Sequence, residues 1–94
     1  MSDLNTFRNK IDEIDDNIVK LLLERFAVAK DIAEYKRERG LDVFQKAREA
    51  EILKKIADKI NDDEYRDYIL KIYAEIFDAS KSIQRSSISD SSSS

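Results

Sequence analysis

The stretch LLLERFAVAKDIAEYK, residues 21–36, decides the fold, because it continues an apolar repeat that contains one interruption. From residue 4 onward apolar side chains recur at alternating steps of three and four, the spacing that places them on one face of an α-helix. The series is Leu4, Phe7, Ile11, Ile14, Ile18, Leu21, Val28, Ile32 and Tyr35. The slot between Leu21 and Val28 holds Arg25. Since a guanidinium enters a helix–helix interface only with an anionic partner, the sequence predicts a long helix whose Arg25 needs an anion.

The composition favours an all-α protein and limits its chemistry. The 94 residues include no Pro and a single Gly, 39% are charged, and Glu, Lys, Ala, Leu and Ile are abundant. These are helix-favouring residues. There is no Cys and no His, so disulfides, thiolate metal sites and the usual general base are excluded. Any chemistry would use Arg, Lys, carboxylates, amides and hydroxyls, and we predict neither a cofactor nor a metal.

The charge pattern bears on the partners. The net charge is −3, and charges of both signs are interspersed without a basic patch, so nucleic-acid binding is not expected. No apolar run approaches the length that spans a bilayer and no signal peptide opens the chain, so we expect no membrane partner. We predict a cytoplasmic protein.

The first helix is predicted over residues 3–39, with Gly40 as the residue that follows its carboxyl end. Such a helix is roughly 50 Å long, whereas a compact chain of 100 residues has a radius of gyration of only about 13 Å. The remaining residues are too few to cover it. The sequence therefore predicts a second chain along this helix.

Two shorter helices are predicted after Gly40. The second covers about residues 45–60, with an apolar stripe at Leu53, Ile56 and Ile60. The third begins at the NDDE segment, where Asn61 or Asp62 can cap it, and runs to about residue 85. Residues 86–94 are mostly Ser, so we predict one helical domain over 1–85 and a disordered tail over 86–94.

Two cations of the first helix face the same way. Arg25 and Lys36 are eleven residues apart, and eleven steps of an α-helix return to within about 20° of the same face. They lie about 16 Å apart along the axis. The ordinary alternative is that both pair with carboxylates of other helices.

The other two helices also place polar residues on apolar faces. Arg48 and Glu49 head the stripe of the second helix, and Ser80 and Gln84 end the stripe of the third at steps of four after Ile76. The alternatives are a surface ion pair at a helix start for the first two residues and fraying toward the tail for the last two.

Arg8 is a further candidate, at the amino end of the first helix. It lies about 25 Å from Arg25 along one helix, so both can reach one small molecule only if two such helices pair antiparallel in a dimer. Four cations, a carboxylate, a hydroxyl and an amide then approach one region, which suits a small polyanion. Without a nucleophile or a poised base, such a site can act only by holding a conformation and stabilising charge.

These residues form a pattern that resembles a known family. The segment FRNKIDEIDDNIVKLLLERFAVAKDIAEYK, followed by QKAREAEIL and ASKSIQ, is similar to the all-helical chorismate mutases over about residues 4–85. The resemblance implies an intertwined homodimer of three-helix subunits. It implies the Claisen rearrangement of chorismate to prephenate, a step toward aromatic amino acids, without a covalent intermediate.

The resemblance also implies roles for the candidate residues. Arg25 would grip a carboxylate of chorismate, and Arg8 of the other subunit would do likewise. Lys36 and Gln84 would contact the ether oxygen, and Glu49 would accept a hydrogen bond from the ring hydroxyl. The remaining implied contacts, which fix the dianion or form the wall, are Arg48, Ser80 and Ile32.

One position departs from the family pattern. Members often have Asp three residues before the Arg-Glu pair, where this chain has Gln45. If Gln45 contributes through its backbone N–H, the change matters little; if the side chain orients Arg48, activity would suffer.

Two other functions are compatible with parts of the pattern. An isochorismate pyruvate-lyase on the same scaffold would share the anion-binding Arg residues, although Glu49 favours the mutase. A non-catalytic helical dimerisation module would need only the apolar series, and it leaves the polar cluster unexplained.

Overall fold

The computed structural model describes residues 3–44 and 46–92, with side chains described as far as Ser87. It contains three helices, α1 (Leu4–Glu38), α2 (Lys46–Asp58) and α3 (Asp63–Ser92), and no strand among the described residues. The all-α class and the three helices are confirmed. Gln45, predicted to contribute its backbone N–H, lies outside the described residues.

Both ends of α1 are capped, the carboxyl end by the predicted Gly40 and the amino end by Asp3, which the sequence analysis placed inside the helix. The Asp3 carboxylate accepts hydrogen bonds from the Thr6 backbone N–H at 2.9 Å and from the Thr6 hydroxyl at 3.1 Å, and the backbone bond above all lowers the pKa of Asp3. At the other end Gly40 has φ +67°. The Leu41 N–H donates to the Lys36 carbonyl at 2.8 Å and the Gly40 N–H to that of Arg37 at 3.2 Å, so a left-handed glycine ends the helix.

Arg66 joins the end of α2 to the start of α3. Its guanidinium donates to the backbone carbonyls of Ala57 at 3.2 Å and Ile60 at 2.6 Å and pairs with Asp63 at 2.6 Å. The α3 helix is capped by Asp62, which accepts from the Tyr65 N–H at 3.0 Å. The Ala57 carbonyl also accepts from the Ile60 backbone N–H at 3.2 Å, so Arg66 holds both the last turn of α2 and the residue that follows it against α3.

The predicted end of α3 near residue 85 is wrong, because the helix continues to Ser92. Once a long helix exists, each added residue gains a backbone hydrogen bond without a new nucleation cost, so a Ser-rich segment can extend it. Ser87 is also buried, and its hydroxyl lies 3.4 Å from Glu34 of α1. Residues 86–92 are therefore helical, whereas the division into a domain and a tail stays a prediction.

The core of the single chain is small. The α3 helix packs against α1 and against α2, while α1 and α2 do not pack on each other in the described part. The described apolar residues that are buried are Ala29, Ala33 and Phe77. The small side chains on α1 allow α3 to approach closely, and the interface covers only the carboxyl half of α1.

The amino half of α1 is uncovered. Every described residue from 3 to 21 is exposed, and all nine members of the apolar series are 43–61% exposed. The chain extends over 58 × 30 × 15 Å with a radius of gyration of 17.1 Å. Its accessible surface is 7633 Å², whereas a compact monomer of this mass has about 5,600 Å². None of the described helices has both the length and the apolar character that crossing a membrane requires.

Candidate active site

A cavity of about 660 Å³ lies where all three helices converge. One wall is the carboxyl half of α1, a second is the α1–α2 loop with the start of α2, and the third is the middle of α3. The lining residues are Arg25, Val28, Ala29, Ile32, Lys36, Val43, Phe44, Lys46, Arg48, Glu49, Ile52, Phe77, Ser80, Lys81, Gln84 and Arg85.

The cavity brings together most of the residues that the sequence singled out. The predicted site residues that line it are Arg25, Ile32, Lys36, Arg48, Glu49, Ser80 and Gln84. Arg8 does not line it and is exposed on the uncovered half of α1. The roles predicted for the lining residues stay predictions.

Arg25 is held without a carboxylate. Its Nη1 donates to the Ser80 hydroxyl at 2.8 Å, and its guanidinium carbon lies 5.6 Å from the centre of the Phe77 ring. No carboxylate lies within ion-pair distance of Arg25 or of Lys36 among the residues that the structure describes. Within the described part of the chain, the structure therefore does not bear out the alternative that both cations pair with carboxylates of other helices.

Ser80 and Gln84 belong to the packed part of α3. Ser80 is only 7% exposed, and the Gln84 amide nitrogen donates to the backbone carbonyl of Ala29 at 3.0 Å. Fraying at this point is therefore wrong, because both side chains are engaged with α1. An amide nitrogen carries two hydrogens, so the bond to Ala29 fixes the Gln84 amide and leaves a second N–H for the cavity.

The two residues at the start of α2 differ in their partners. Arg48 donates to the Glu51 carboxylate at 3.1 Å, and both side chains are more than half exposed, so the surface-pair alternative describes Arg48 in this structure. Glu49 instead reaches across to α3, where its Oε1 lies 3.1 Å from the Lys81 ammonium. The carboxylate of Glu49 is thereby fixed at the cavity wall.

The comparison with known proteins decides the family. Residues 7–85 match the family described as chorismate mutase type II. The chain belongs to the type II chorismate mutase family. The match covers α1 from Phe7 onward, all of α2 and α3 as far as Arg85, and it includes every described residue of the cavity wall, which places the chain among the isomerases.

Individual relatives agree with the family match. The chain is 36% identical over 85 residues to a chorismate mutase of Methanocaldococcus jannaschii, covering 87% of this chain and 84% of the relative. It is 36% identical over 90 residues to a bifunctional chorismate mutase/prephenate dehydratase of Aquifex aeolicus, covering 90% of this chain and 25% of that larger protein. Chorismate mutase form II of Thermus thermophilus has a similar structure, with a TM-score of 0.82 and 27% identity over 87% of this chain and 93% of that one.

Sequence reasoning missed three cations of this cavity. Lys46, Lys81 and Arg85 also line the cavity, and the Arg85 guanidinium lies 5.3 Å from the centre of the Phe44 ring of the loop. Helical steps of four along α3 from Phe77, which also lines the cavity, lead to Lys81 and then to Arg85. The signal was present, but which side of the stripe faces the cavity depends on how α3 docks.

The charges of the cavity wall are strongly unequal. The described lining residues include six cations, Arg25, Lys36, Lys46, Arg48, Lys81 and Arg85, and one carboxylate, Glu49. A concave wall of one sign attracts small anions and raises their local concentration. Among the described residues no group of three or more carboxylates is arranged to hold a metal ion.

Proposed function

We propose that this cavity binds the chorismate dianion and accelerates its Claisen rearrangement to prephenate. The observation that carries the proposal is a cationic wall on which four of six cations, Arg25 and Lys36 among them, have no carboxylate partner among the described residues, beside a fixed amide and a single carboxylate. The reaction is intramolecular and needs no nucleophile and no proton transfer. The protein therefore has to select a compact substrate conformation and stabilise charge as it moves.

Arg25 binds a substrate carboxylate in this proposal. A guanidinium has five N–H donors, and the structure uses one of them for Ser80. The hydroxyl and the Phe77 ring orient the plane of the guanidinium, so a bidentate contact with a carboxylate needs little further ordering. In this proposal Ser80 acts by orienting Arg25, and its hydroxyl oxygen lies close to the bound dianion.

Lys36 and Gln84 stabilise the ether oxygen of the substrate. Negative charge grows on that oxygen as the C–O bond breaks, and an ammonium and an amide N–H aimed at it are worth more in the transition state than in the ground state. The Gln84 amide is already fixed by Ala29, so its orientation costs little when the substrate binds.

The start of α2 contributes at the other side of the cavity. Glu49 accepts a hydrogen bond from the ring hydroxyl, and Arg48 leaves Glu51 to help fix the dianion. An exposed ion pair contributes only about 0–1 kcal/mol, so little stability is lost in this exchange. Ile32 forms part of the apolar wall, and Gln45 supplies a backbone N–H.

The catalytic unit in this proposal is a homodimer with Arg8 supplied by the second subunit. The support is the uncovered amino half of α1 and the exposure of all nine members of the apolar series along this helix. The accessible surface is also about 2,000 Å² larger than that of a compact monomer. An obligate interface buries surface of this order. The cytoplasmic location also stays a prediction.

The experiment is the turnover of chorismate by the purified protein, with the product identified by chromatography. We expect prephenate well above the spontaneous rate and its loss in Arg25→Ala. Pyruvate and salicylate formed from isochorismate, without turnover of chorismate, would favour the lyase. A folded dimer that turns over neither substrate would favour the dimerisation module.

A further inference from the structure

The carboxylate of Glu49 has a partner on α3 whose role nothing described so far assigns. The Lys81 ammonium lies 3.1 Å from Glu49 Oε1 and 3.7 Å from an oxygen of Asp78. The side chains of Lys81 and Glu49 are 31% and 32% exposed, whereas Asp78 is 69% exposed. The closer and more shielded of the two contacts is therefore the one that faces the cavity.

A lone carboxylate among six cations needs something to fix its direction. Glu49 is surrounded by several cations that could attract it, including its neighbour Arg48. Arg48, however, pairs with Glu51 at 3.1 Å in the ligand-free protein, and in the proposed function it turns from Glu51 to the dianion. Lys81 is thus the cation paired with Glu49 among the described residues, and the oxygen it contacts at 3.1 Å is Oε1.

We propose that Lys81 is a positioning residue for substrate recognition: by binding one oxygen of Glu49 it aims the other at the ring hydroxyl. This rests on the proposed function, in which Glu49 accepts from that hydroxyl. A carboxylate has two oxygens with about four acceptor sites. An ammonium on one oxygen fixes the plane of the carboxylate and leaves the second oxygen free to accept.

The competing role for Lys81 is direct binding of the dianion. A lysine that binds a substrate carboxylate would help every substrate that carries the carboxylate, whether or not it has a ring hydroxyl. A lysine that acts through Glu49 would help only substrates with the hydroxyl. The two roles therefore differ in how they change discrimination between substrates.

The test compares chorismate with its ring-deoxy analogue, in which hydrogen replaces the ring hydroxyl. Lys81→Met is expected to lower kcat/KM for chorismate about ten-fold, the effect of misplacing one charge-assisted hydrogen bond. The kcat/KM for the analogue should change less than about two-fold, so the preference of the enzyme for chorismate over the analogue becomes smaller. Lys81→Arg should restore most of the preference. The double variant Lys81→Met, Glu49→Gln should have the same preference for chorismate over the analogue as Glu49→Gln alone, because Lys81 acts only through Glu49.

Lys55→Met is the matched control. Lys55 pairs with Glu51 at 3.5 Å on the outer face of α2, away from the cavity, and should leave both substrates unchanged. Since an ion pair that is a third exposed contributes little to folding, we expect Lys81→Met to keep the melting temperature of the wild type within a few degrees.

Each other outcome overturns the inference. Equal losses for chorismate and the analogue would assign Lys81 to the dianion or to the fold. No loss for either would make the contact with Glu49 a surface ion pair only. These results leave the proposed function intact, whereas absence of chorismate turnover by the wild type would overturn both.

Discussion

Arg25 is half-buried between a hydroxyl and an aromatic ring, a position that holds its charge without neutralising it. A structural arginine in such a place usually has a carboxylate partner, since a buried charge without one is costly. Here Ser80 and Phe77 orient the guanidinium, and the opposite charge is left to the ligand. In the proposed function, the Arg25 charge that is left without a carboxylate lowers the stability of the ligand-free protein and strengthens the binding of the substrate.

Arg25→Ala should therefore lower activity far more than stability. We expect kcat/KM for chorismate to fall about 100- to 1,000-fold, the range for loss of one oriented donor. The free energy of unfolding, measured by urea titration at fixed protomer concentration, should change by less than about 1 kcal/mol. Arg37→Ala, on the exposed face of the same helix, is the control. Unchanged turnover with a large loss of stability would show that Arg25 is structural.

With Gln84 as the proposed donor to the ether oxygen, the reaction should be insensitive to pH near neutrality. An amide donates its N–H without titrating, and the chain has no His, so kcat should vary little between about pH 6 and pH 8. In Gln84→Glu the carboxyl group can donate only when protonated, so activity should fall as pH rises. A sharp titration of the wild-type rate in this interval would contradict the role of Gln84.

At the scale of the elements, two short connections decide where α2 lies. The α1–α2 loop begins at a left-handed Gly40, and its residues Val43 and Phe44 line the cavity. At the far end of α2, Arg66 binds the last carbonyls of that helix from α3. The α2 helix does not pack on α1 and has no fully buried described residue. Its position therefore depends largely on the turn at Gly40 and on the hydrogen bonds of Arg66.

Gly40→Ala tests the role of the turn. A Cβ at this position meets nothing within 4 Å, so the cost comes from the left-handed backbone conformation alone. We expect the free energy of unfolding to fall by about 1 kcal/mol. Gly40→Asn should cost less, because Asn tolerates this conformation. Equal stability of all three proteins would show that the loop changes its path.

Arg66→Met tests the role of the hydrogen bonds that Arg66 makes. The variant keeps an apolar stem but removes the donor of the Ile60 carbonyl and one of the two donors of the Ala57 carbonyl, so the free energy of unfolding should fall by about 1–2 kcal/mol. Thermal and urea unfolding measure this directly. Lys71→Met, an exposed change on α3, is the control and should have little effect. A loss no larger than that of the control would show that α2 is held by its apolar stripe.

At the scale of the whole molecule, the single chain is an incomplete globule. The described residues bury little apolar surface and leave the amino half of α1 uncovered. The net free energy of folding of a small domain is only a few kcal/mol, so a chain that leaves so much apolar surface in water is not expected to be stable alone. Folding and assembly are therefore expected to be one process, with a melting temperature that depends on protein concentration.

Mixing an Arg8→Ala chain with an Arg25→Ala chain tests the shared site. If each site takes Arg25 from one subunit and Arg8 from the other, the heterodimer has one intact site and one that lacks both residues. Activity should recover to about half that of the wild type per heterodimer. The heterodimer is isolated with two different affinity tags, and each parent homodimer is the control. No recovery in an isolated heterodimer would show that the site lies within one chain.

The fold could be predicted from the sequence because its signals are local. The repeat of threes and fours over α1 and the glycine after the helix each depend on neighbours a few residues away. The end of α3 was missed because Ser composition predicts disorder, whereas Ser87 is buried against α1, a contact between residues distant in the chain.

The sequence by itself determined three helices, an α1 too long for its own chain and a set of polar residues misplaced on apolar faces. Only the tertiary structure decided which of them meet: it gave Arg25 a hydroxyl, Gln84 a backbone carbonyl and Glu49 the ammonium of Lys81. Periodicity fixes the direction of a side chain around its own helix. The distance between side chains of different helices is set by how the helices pack. Here the small Ala29 and Ala33 let α3 approach α1 closely, and the polar residues of α3 then face the cavity.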